Sequence, residues 1–226
     1  MEWIIKKFGL SVIILFILKI VLYKIIENYY NLNILGIKNI PKKNGYVIIS
    51  NHNFSMDSFI IKKIFNNNFN IIVEESLRKK ILNYDFDIIY YRKEPQHIKK
   101  SGEQVKKSIL KKCKYENKNI AIFPEGYWSN PDELKKFKKG LFYLCYENKI
   151  PILPIIMCIK RKPEYGDKPL FMCLDKNIKV KIFKIVNSEE FNNFEEYYNH
   201  IYNKMNNYIK KYTSDQKNNY NYFIHI

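Results

Sequence analysis

Arginine is almost missing from this chain: Arg78, Arg92 and Arg161 are the only ones among 39 basic residues. The lysines that supply the rest are dispersed rather than clustered. Neither feature suits a nucleic-acid surface, which relies on grouped cations and on the arginine fork. The chain has 4 cysteines, and none forms a C-x-x-C pair or stands at ligand spacing from a histidine. A structural disulfide set and a zinc site are both disfavoured, and a reducing, cytosol-facing compartment fits best. Three of the cysteines lie in apolar stretches and read as small core residues. Glycine and proline number 7 and 8, so each one that does appear reads as punctuation. No internal repeat is present, and no apolar run reaches the roughly 20 residues that cross a bilayer upright.

What is abundant points to an ordered chain. Aromatic residues make up 16% of the 226, which argues against disorder. Setting aside the first thirty leaves enough for one α/β domain with a real core, and no room for two. The net charge is +17. Lysine, asparagine and isoleucine are used heavily everywhere, loops included, as genome-wide compositional bias produces. The functional reading of the same charge is attraction to an anionic surface: a phospholipid leaflet, a polyphosphate cofactor or nucleic acid. Charge alone does not choose among these.

The longest apolar stretch runs from Phe8 to Tyr23 and is broken by Lys19. Three readings of it stand: a single membrane span with Lys19 snorkelling to the headgroups, a helix lying in one leaflet, or a buried soluble helix. No small-x-small cleavage site follows, which favours a retained anchor over a removed signal peptide. Lys6, Lys7, Lys19 and Lys24 lie at both ends and leave the orientation open. The organisation expected is a membrane-anchoring helix over residues 1–30, one domain over 31–212, and a polar tail over 213–226.

Short apolar, β-branched runs predict buried strands at Tyr46–Ser50, Asn70–Val73, Asp87–Tyr91 and Asn119–Phe123. A proline-bounded strand follows at Ile150–Ile159, then late strands at Leu170–Leu174 and Ile178–Ile185. Helical spacing predicts Phe59–Phe65, Leu77–Leu82, Phe137–Tyr146 and Phe191–Tyr212, and a helix opened by Pro95 that runs to Lys112. Asn33 to Asn44 reads as a connector. The alternation predicts an α/β fold: a central, mostly parallel sheet flanked by helices on both faces.

Short polar motifs stand at the ends of two of these strands, where open α/β sheets place their ligands. After Ser50 comes Asn51-His52-Asn53-Phe54-Ser55-Met56-Asp57, an H-x4-D pattern. A neutral imidazole accepts a proton near pH 7, and a carboxylate beside it sets the tautomer and stabilises the imidazolium. Five residues on a straight helix leave two side chains about 140° apart. His52 therefore belongs in a turn, with Asp57 on the first helical turn folding back to it. Asp57 or Ser55 as a mere helix cap is the competing reading of the motif alone. After Phe123 comes Pro124-Glu125-Gly126, where the glycine allows close backbone approach. Phe137-Lys138-Lys139-Gly140 heads an amphipathic helix, a natural anion site. Pro151-Ile152-Leu153-Pro154 stiffens a strand. The remaining histidines, His97, His200 and His225, and the tyrosine face at 197, 198 and 208, read as solvated or packing residues. Glu74 and Glu75 read as solvent-facing residues near a strand end, with an active-site wall as the alternative.

These four motifs, in this order and spacing, resemble the lysophosphatidic acid acyltransferase family, the 1-acylglycerol-3-phosphate O-acyltransferases and their relatives. The resemblance runs from about Ser50 to Ile156. It implies that His52 is the general base that deprotonates the acceptor hydroxyl, and that Asp57 orients and charge-stabilises it. The oxygen then attacks an acyl-CoA thioester directly, without an acyl-enzyme. Glu125 and Gly126 match the acceptor-binding motif, Arg92 stands where the acceptor phosphate is bound, Lys139 and Gly140 match the Lys-Gly block, and Pro154 matches the motif that shapes the pocket. No cofactor is implied beyond acyl-CoA as co-substrate. The implied partners are membrane phospholipids, acyl-CoA and a lysophospholipid acceptor, without nucleic acid, on a domain that faces the cytosol from the endoplasmic reticulum or an equivalent membrane.

One departure bears on the substrate. Family members usually continue the second motif as Thr-Arg-Ser, whereas this chain reads Tyr127-Trp128-Ser129. The phosphate-gripping fork is missing. That points to an acceptor with a larger headgroup, or to the tafazzin-like transacylases, which draw acyl chains from other phospholipids. A nucleic-acid binder and a catalytically inactive membrane scaffold are the competing classes. Dispersed lysine argues against the first, and the presence of His52, Asp57, Glu125 and Gly126 against the second.

Overall fold

The computed structural model describes residues 29–53, 57–66, 68–77, 87–127, 132–161 and 174–223. The apolar stretch Phe8–Tyr23, most of the expected helix Leu77–Leu82 and nearly all of the expected strand Leu170–Leu174 lie outside these residues. Among the described residues no helix is long and apolar enough to cross a membrane.

Among the described residues, seven strands form one sheet. In chain order they are β1 (Asn31–Leu35), β2 (Val47–Ser50), β3 (Asn70–Glu74), β4 (Asp87–Tyr91), β5 (Ile120–Ile122), β6 (Ile152–Arg161) and β7 (Leu174–Ile182). The described helices are α1 (Asp57–Phe65), α2 (Pro95–Leu110), α3 (Lys139–Glu147) and α4 (Phe194–Phe223). The spatial order is β1-β7-β6-β2-β5-β3-β4. Every neighbouring pair is parallel except β6 with β7. The sheet is therefore mostly parallel, with its connections doubling back beside β2.

Burial explains why the inner strands are apolar runs rather than alternating ones. All four residues of β2 are buried, because a parallel strand at the centre is covered on both faces. Successive side chains still take opposite sides. Val47 and Ile49 join one core with Ile109 of α2, Phe142 of α3 and Tyr197 of α4. Tyr46 and Ile48 join the other, with Ile60 and Ile61 of α1. Along β6, Ile152, Ile156 and Cys158 enter the first core, and Leu153, Ile155, Met157 and Ile159 the second. The tyrosines at 197 and 198 are buried packing residues, as their spacing predicts.

Three elements differ from the sequence expectation. The stretch read as a connector from Asn33 begins with β1, whose NLNIL sequence is alternately exposed and half-buried. Its partner is β7, 146 residues away through the Asn31–Asn177 side-chain hydrogen bond, a pairing that no local pattern announces. α2 is followed by a π-helical turn, Lys111–Tyr115. α4 runs on to Phe223 rather than ending at Tyr212, since no glycine or proline follows to stop it. Cys113, Cys145 and Cys158 are free and buried. Burial pushes the Cys113 and Cys158 thiols up to about 12, which makes them inert core groups.

One asparagine knits the edge of the sheet opposite the motifs. Asn119, just before β5, accepts the backbone N–H of Gly45 at 2.9 Å and of Tyr46 at 3.4 Å. Its amide donates to Asn44 Oδ1 at 3.0 Å and to the Asn68 carbonyl at 3.1 Å. The approaches to β2, β3 and β5 thus share one buried side chain. Replacing Asn119 by alanine strands the Gly45 N–H and costs about 1–3 kcal/mol, read from the urea midpoint. A change below about 0.5 kcal/mol contradicts this role.

Candidate active site

The motifs converge at the carboxyl ends of β2 and β5, adjacent strands at the centre of the sheet. Here the connection from β2 leaves for β3, beyond β5, while β6 lies on the other side. Such reversals open a crevice in doubly wound sheets.

The histidine is held by its neighbours in sequence. Asn51 is buried and acts as an extra rung of the sheet: its side-chain amide donates to the Met157 carbonyl at 2.9 Å, and its oxygen accepts the Met157 N–H at 2.8 Å. Asn53 donates to the same carbonyl at 3.0 Å. Two asparagines flanking His52 thus pin the turn to β6.

Asp57 opens α1, where a carboxylate complements the helix dipole. Its Oδ2 accepts the backbone N–H of Asn53 at 2.7 Å and stands 2.9 Å from His52 Nδ1. The helix start therefore folds back onto the turn, as the five-residue spacing requires. Asp57 has no exposed side-chain surface, whereas the His52 side chain retains 23%. A neutral ring that donates from Nδ1 to this carboxylate carries its lone pair on Nε2. The ring stacks on Phe123, centroids 4.3 Å apart, which fixes its plane.

Glu125 ties this turn to the next loop. Its buried side chain accepts the His52 backbone N–H at 2.9 Å through Oε1, and the Lys135 backbone N–H at 3.0 Å through Oε2. The following Gly126 has φ +78°. A Cβ there would stand 2.5 Å from Lys138 Nζ. Lys93 Nζ donates to the Gly126 carbonyl at 3.2 Å and pairs with Glu74. The Lys93 ammonium, by hydrogen bonding, holds the Glu74 carboxyl below its ordinary value. Two ammonium groups, from Lys93 and Lys138, thus flank Gly126. Lys135 adds a third cation nearby, its Nζ 4.8 Å from the Tyr127 ring centroid.

Sequence reasoning brings together His52, Asp57, Glu125 and Gly126, and the structure does as well. Of the other expected site residues, Arg92 and Lys139 have partners of their own. The Arg92 guanidinium is exposed and paired with Glu75, while its backbone N–H donates to Ser101 at 2.7 Å. Glu74 and Glu75, read as solvent-facing, are therefore both ion-paired. Lys139 turns to α4, where Glu195 Oε1 stands 2.6 Å away and the Tyr198 ring 5.2 Å away. Gly140 is exposed, with nothing within 4 Å of an added Cβ. Pro154 is buried within β6, opposite Ile49 of β2. The roles of Asn51, Asn53 and Lys93 were not legible, whereas Lys138 belongs to the basic pair read as an anion site. The one signal was position: Lys93 directly follows Arg92, and the two asparagines bracket His52 at the strand-like spacing of two. Trp128 lies outside the described residues.

A partly exposed imidazole held against a buried carboxylate at the carboxyl ends of two adjacent parallel strands, with lysine ammonium groups beside the next loop, defines an α/β protein equipped for proton transfer. The family model described as Acyltransferase matches residues 31–158, and the chain belongs to that family. A 1-acyl-sn-glycerol-3-phosphate acyltransferase of Saccharomyces cerevisiae is 28% identical over 143 residues, 60% of this chain and 46% of the yeast protein. One from Cocos nucifera is 32% identical over 66 residues, 29% of this chain and 20% of that one. The chain thus spans about half the length of the yeast relative, or less of the other. The crystal structure of the 1-acyl-sn-glycerophosphate (LPA) acyltransferase PlsC from Thermotoga maritima superposes with a TM-score of 0.57 at 20% identity, covering 84% of this chain and 79% of that one. At that identity the likeness establishes the shared fold.

The left-handed backbone at Gly126 generates a prediction. Alanine there costs about 1–2 kcal/mol from backbone strain, measured by urea unfolding. Because Lys138 has a flexible end, trimming it in a Gly126→Ala/Lys138→Ala double variant recovers little of that loss. Full recovery would place the cause in the side-chain clash instead.

Proposed function

We propose that this chain is a membrane-bound O-acyltransferase that moves a fatty acyl group from acyl-CoA to the free hydroxyl of a lysophospholipid such as lysophosphatidic acid, in phospholipid synthesis or remodelling. The observation that carries the proposal is the 2.9 Å contact of His52 Nδ1 with a fully buried Asp57 carboxylate, on a ring that keeps an open side. The curated relatives, named for acyl transfer to 1-acyl-sn-glycerol-3-phosphate, support the substrate class.

The reaction follows from that geometry. His52 Nε2 removes the proton of the bound hydroxyl as its oxygen attacks the thioester carbonyl. Asp57 stabilises the imidazolium that forms and holds Nδ1–H toward itself. The tetrahedral intermediate collapses, the C–S bond breaks, and the imidazolium returns its proton to the departing thiolate. No covalent acyl-enzyme and no metal or other cofactor takes part. Lys93 and Lys138 hold the acceptor's phosphate beside Gly126, in the place for which Arg92 was expected from sequence. The first thirty residues keep the domain on a cytosol-facing bilayer, that of the endoplasmic reticulum or its equivalent, and the +17 charge draws it to anionic lipid.

A second reading is favoured by one observation. The half-exposed Tyr127 and the adjacent Trp128 stand where an arginine fork is usual. An aromatic pair suits a larger headgroup or a phospholipid acyl donor, as in a transacylase. Labelled acyl-CoA and labelled phosphatidylcholine, offered as donors to a panel of lysolipids, separate the two readings.

In that assay His52→Ala lowers transfer at least 10³-fold and Asp57→Asn about 10²–10⁴-fold, with binding to vesicles unchanged. Activity surviving in His52→Ala would remove His52 from the role of base. Lys138→Met raises KM for an anionic acceptor about 10–100-fold, the loss of one charge-assisted hydrogen bond, and leaves kcat within a few-fold. An unchanged KM would send the phosphate elsewhere. Flotation of the full chain with anionic vesicles persists at about 0.5 M salt, where charge attraction is screened. Release at that salt would leave only electrostatic attachment.

A further inference from the structure

α4 lies beyond the residues that match the family, yet it reaches back to the site. Two of its hydroxyls donate to backbone carbonyls of the loop between Gly126 and α3: Tyr198 to Phe137 at 2.9 Å and Tyr202 to Leu134 at 3.2 Å. The same loop contributes Lys135, whose N–H binds Glu125 Oε2, and Lys138, whose N–H donates to the Pro124 carbonyl at 3.0 Å. The loop is thereby hydrogen-bonded on one side to the end of β5 and on the other to α4. Packing reinforces it. Leu134 and Phe137 are buried. The Phe137 ring stacks on Phe142 at 5.5 Å and meets the Tyr202 ring edge-on at 5.3 Å. Glu125 is close enough for its charge to join burial in raising the Tyr202 pKa.

Glu125 in turn holds the backbone of His52. The contacts form an unbroken line from α4 through residues 134–138 and Glu125 to the His52 backbone N–H. A carboxylate that accepts two backbone N–H groups can be displaced by moving either one. Loss of the Lys135 end frees Glu125 to shift, and His52 shifts with it.

We propose that Tyr198 and Tyr202 are positioning residues for acyl transfer, setting His52 through the loop at 134–138 and Glu125. This rests on the acyltransferase reading given above. They touch neither substrate nor reacting atoms. Lys139, clamped to Glu195 between the Phe194 and Tyr198 rings, fastens the same helix to the start of α3 and belongs with this brace.

The test uses the full chain in its lipid assay. Tyr198→Phe and Tyr202→Phe keep the rings and remove only the hydroxyls. Each lowers kcat about tenfold with KM within about twofold, in keeping with the steep dependence of rate on alignment. Tyr143→Phe, which loses an exposed hydroxyl on α3, changes neither. The decisive arm is a cycle with Glu125→Gln. If the tyrosines act through Glu125, Tyr202→Phe adds little on that background. A full tenfold effect on both backgrounds, or no effect of either Phe variant on kcat, overturns the proposal. A readout free of activity is the His52 backbone amide proton, whose NMR shift reports its hydrogen bond to Glu125. It moves upfield in Tyr202→Phe and stays put in Tyr143→Phe. An unmoved signal overturns the proposal too. An inactive wild type with a moved signal leaves the brace intact and removes the acyltransferase reading instead.

Discussion

A carboxylate with no exposed surface holds this site together. Glu125 stands at the end of β5, accepts the backbone N–H of His52 with one oxygen and that of Lys135 with the other. Burying such a group is costly unless its oxygens find donors. Two of its donors belong to different segments, one to the β2 turn and one to the loop before α3. Satisfying one side chain therefore fixes the relative position of both. His52 gains its backbone anchor from this, and Asp57 and Phe123 then settle its ring.

The sheet makes that arrangement reachable. β2 and β5 are adjacent, parallel and in register from Val47 with Ile120 to Ile49 with Ile122, so their carboxyl ends emerge side by side. Asn51 and Asn53 extend the order one step beyond the last strand residue by borrowing the Met157 backbone from β6. The histidine turn is thus held from β6, from the end of β5 and from the first turn of α1. Rigid elements supply the aim, and the His52 side chain keeps 23% of its surface exposed. The lysines beside Gly126 then supply positive charge where arginine is absent, each tied by contacts to the β5 end or to Glu74.

Much of this was legible in the sequence because it is local. Runs such as Tyr46–Ser50 and Asp87–Tyr91 are apolar since parallel strands are covered on both sides, and their limits were read to within a residue or so. His52 with Asp57, and Glu125 with Gly126, stand out because they interrupt apolar runs with chemistry-bearing residues at strand ends. What was not legible depends on distant partners. β1 is a polar-apolar alternation that becomes a strand only against β7. In a chain this rich in lysine no pattern distinguishes Lys93 from the rest, and only the fold turns Arg92 toward Glu75 and Lys93 toward Gly126. Lys139 carried an expected motif, but a glutamate and two rings on α4 claim its ammonium.

The base role proposed for His52 requires its lone pair on Nε2, held there by Asp57. Nitrogen-15 NMR of the imidazole in the full chain, at a pH where the ring is neutral, tests it directly. The account predicts the ring proton on Nδ1 and a bare Nε2, with the preference weakened in Asp57→Asn. A neutral ring protonated on Nε2, with Nδ1 bare, would contradict it.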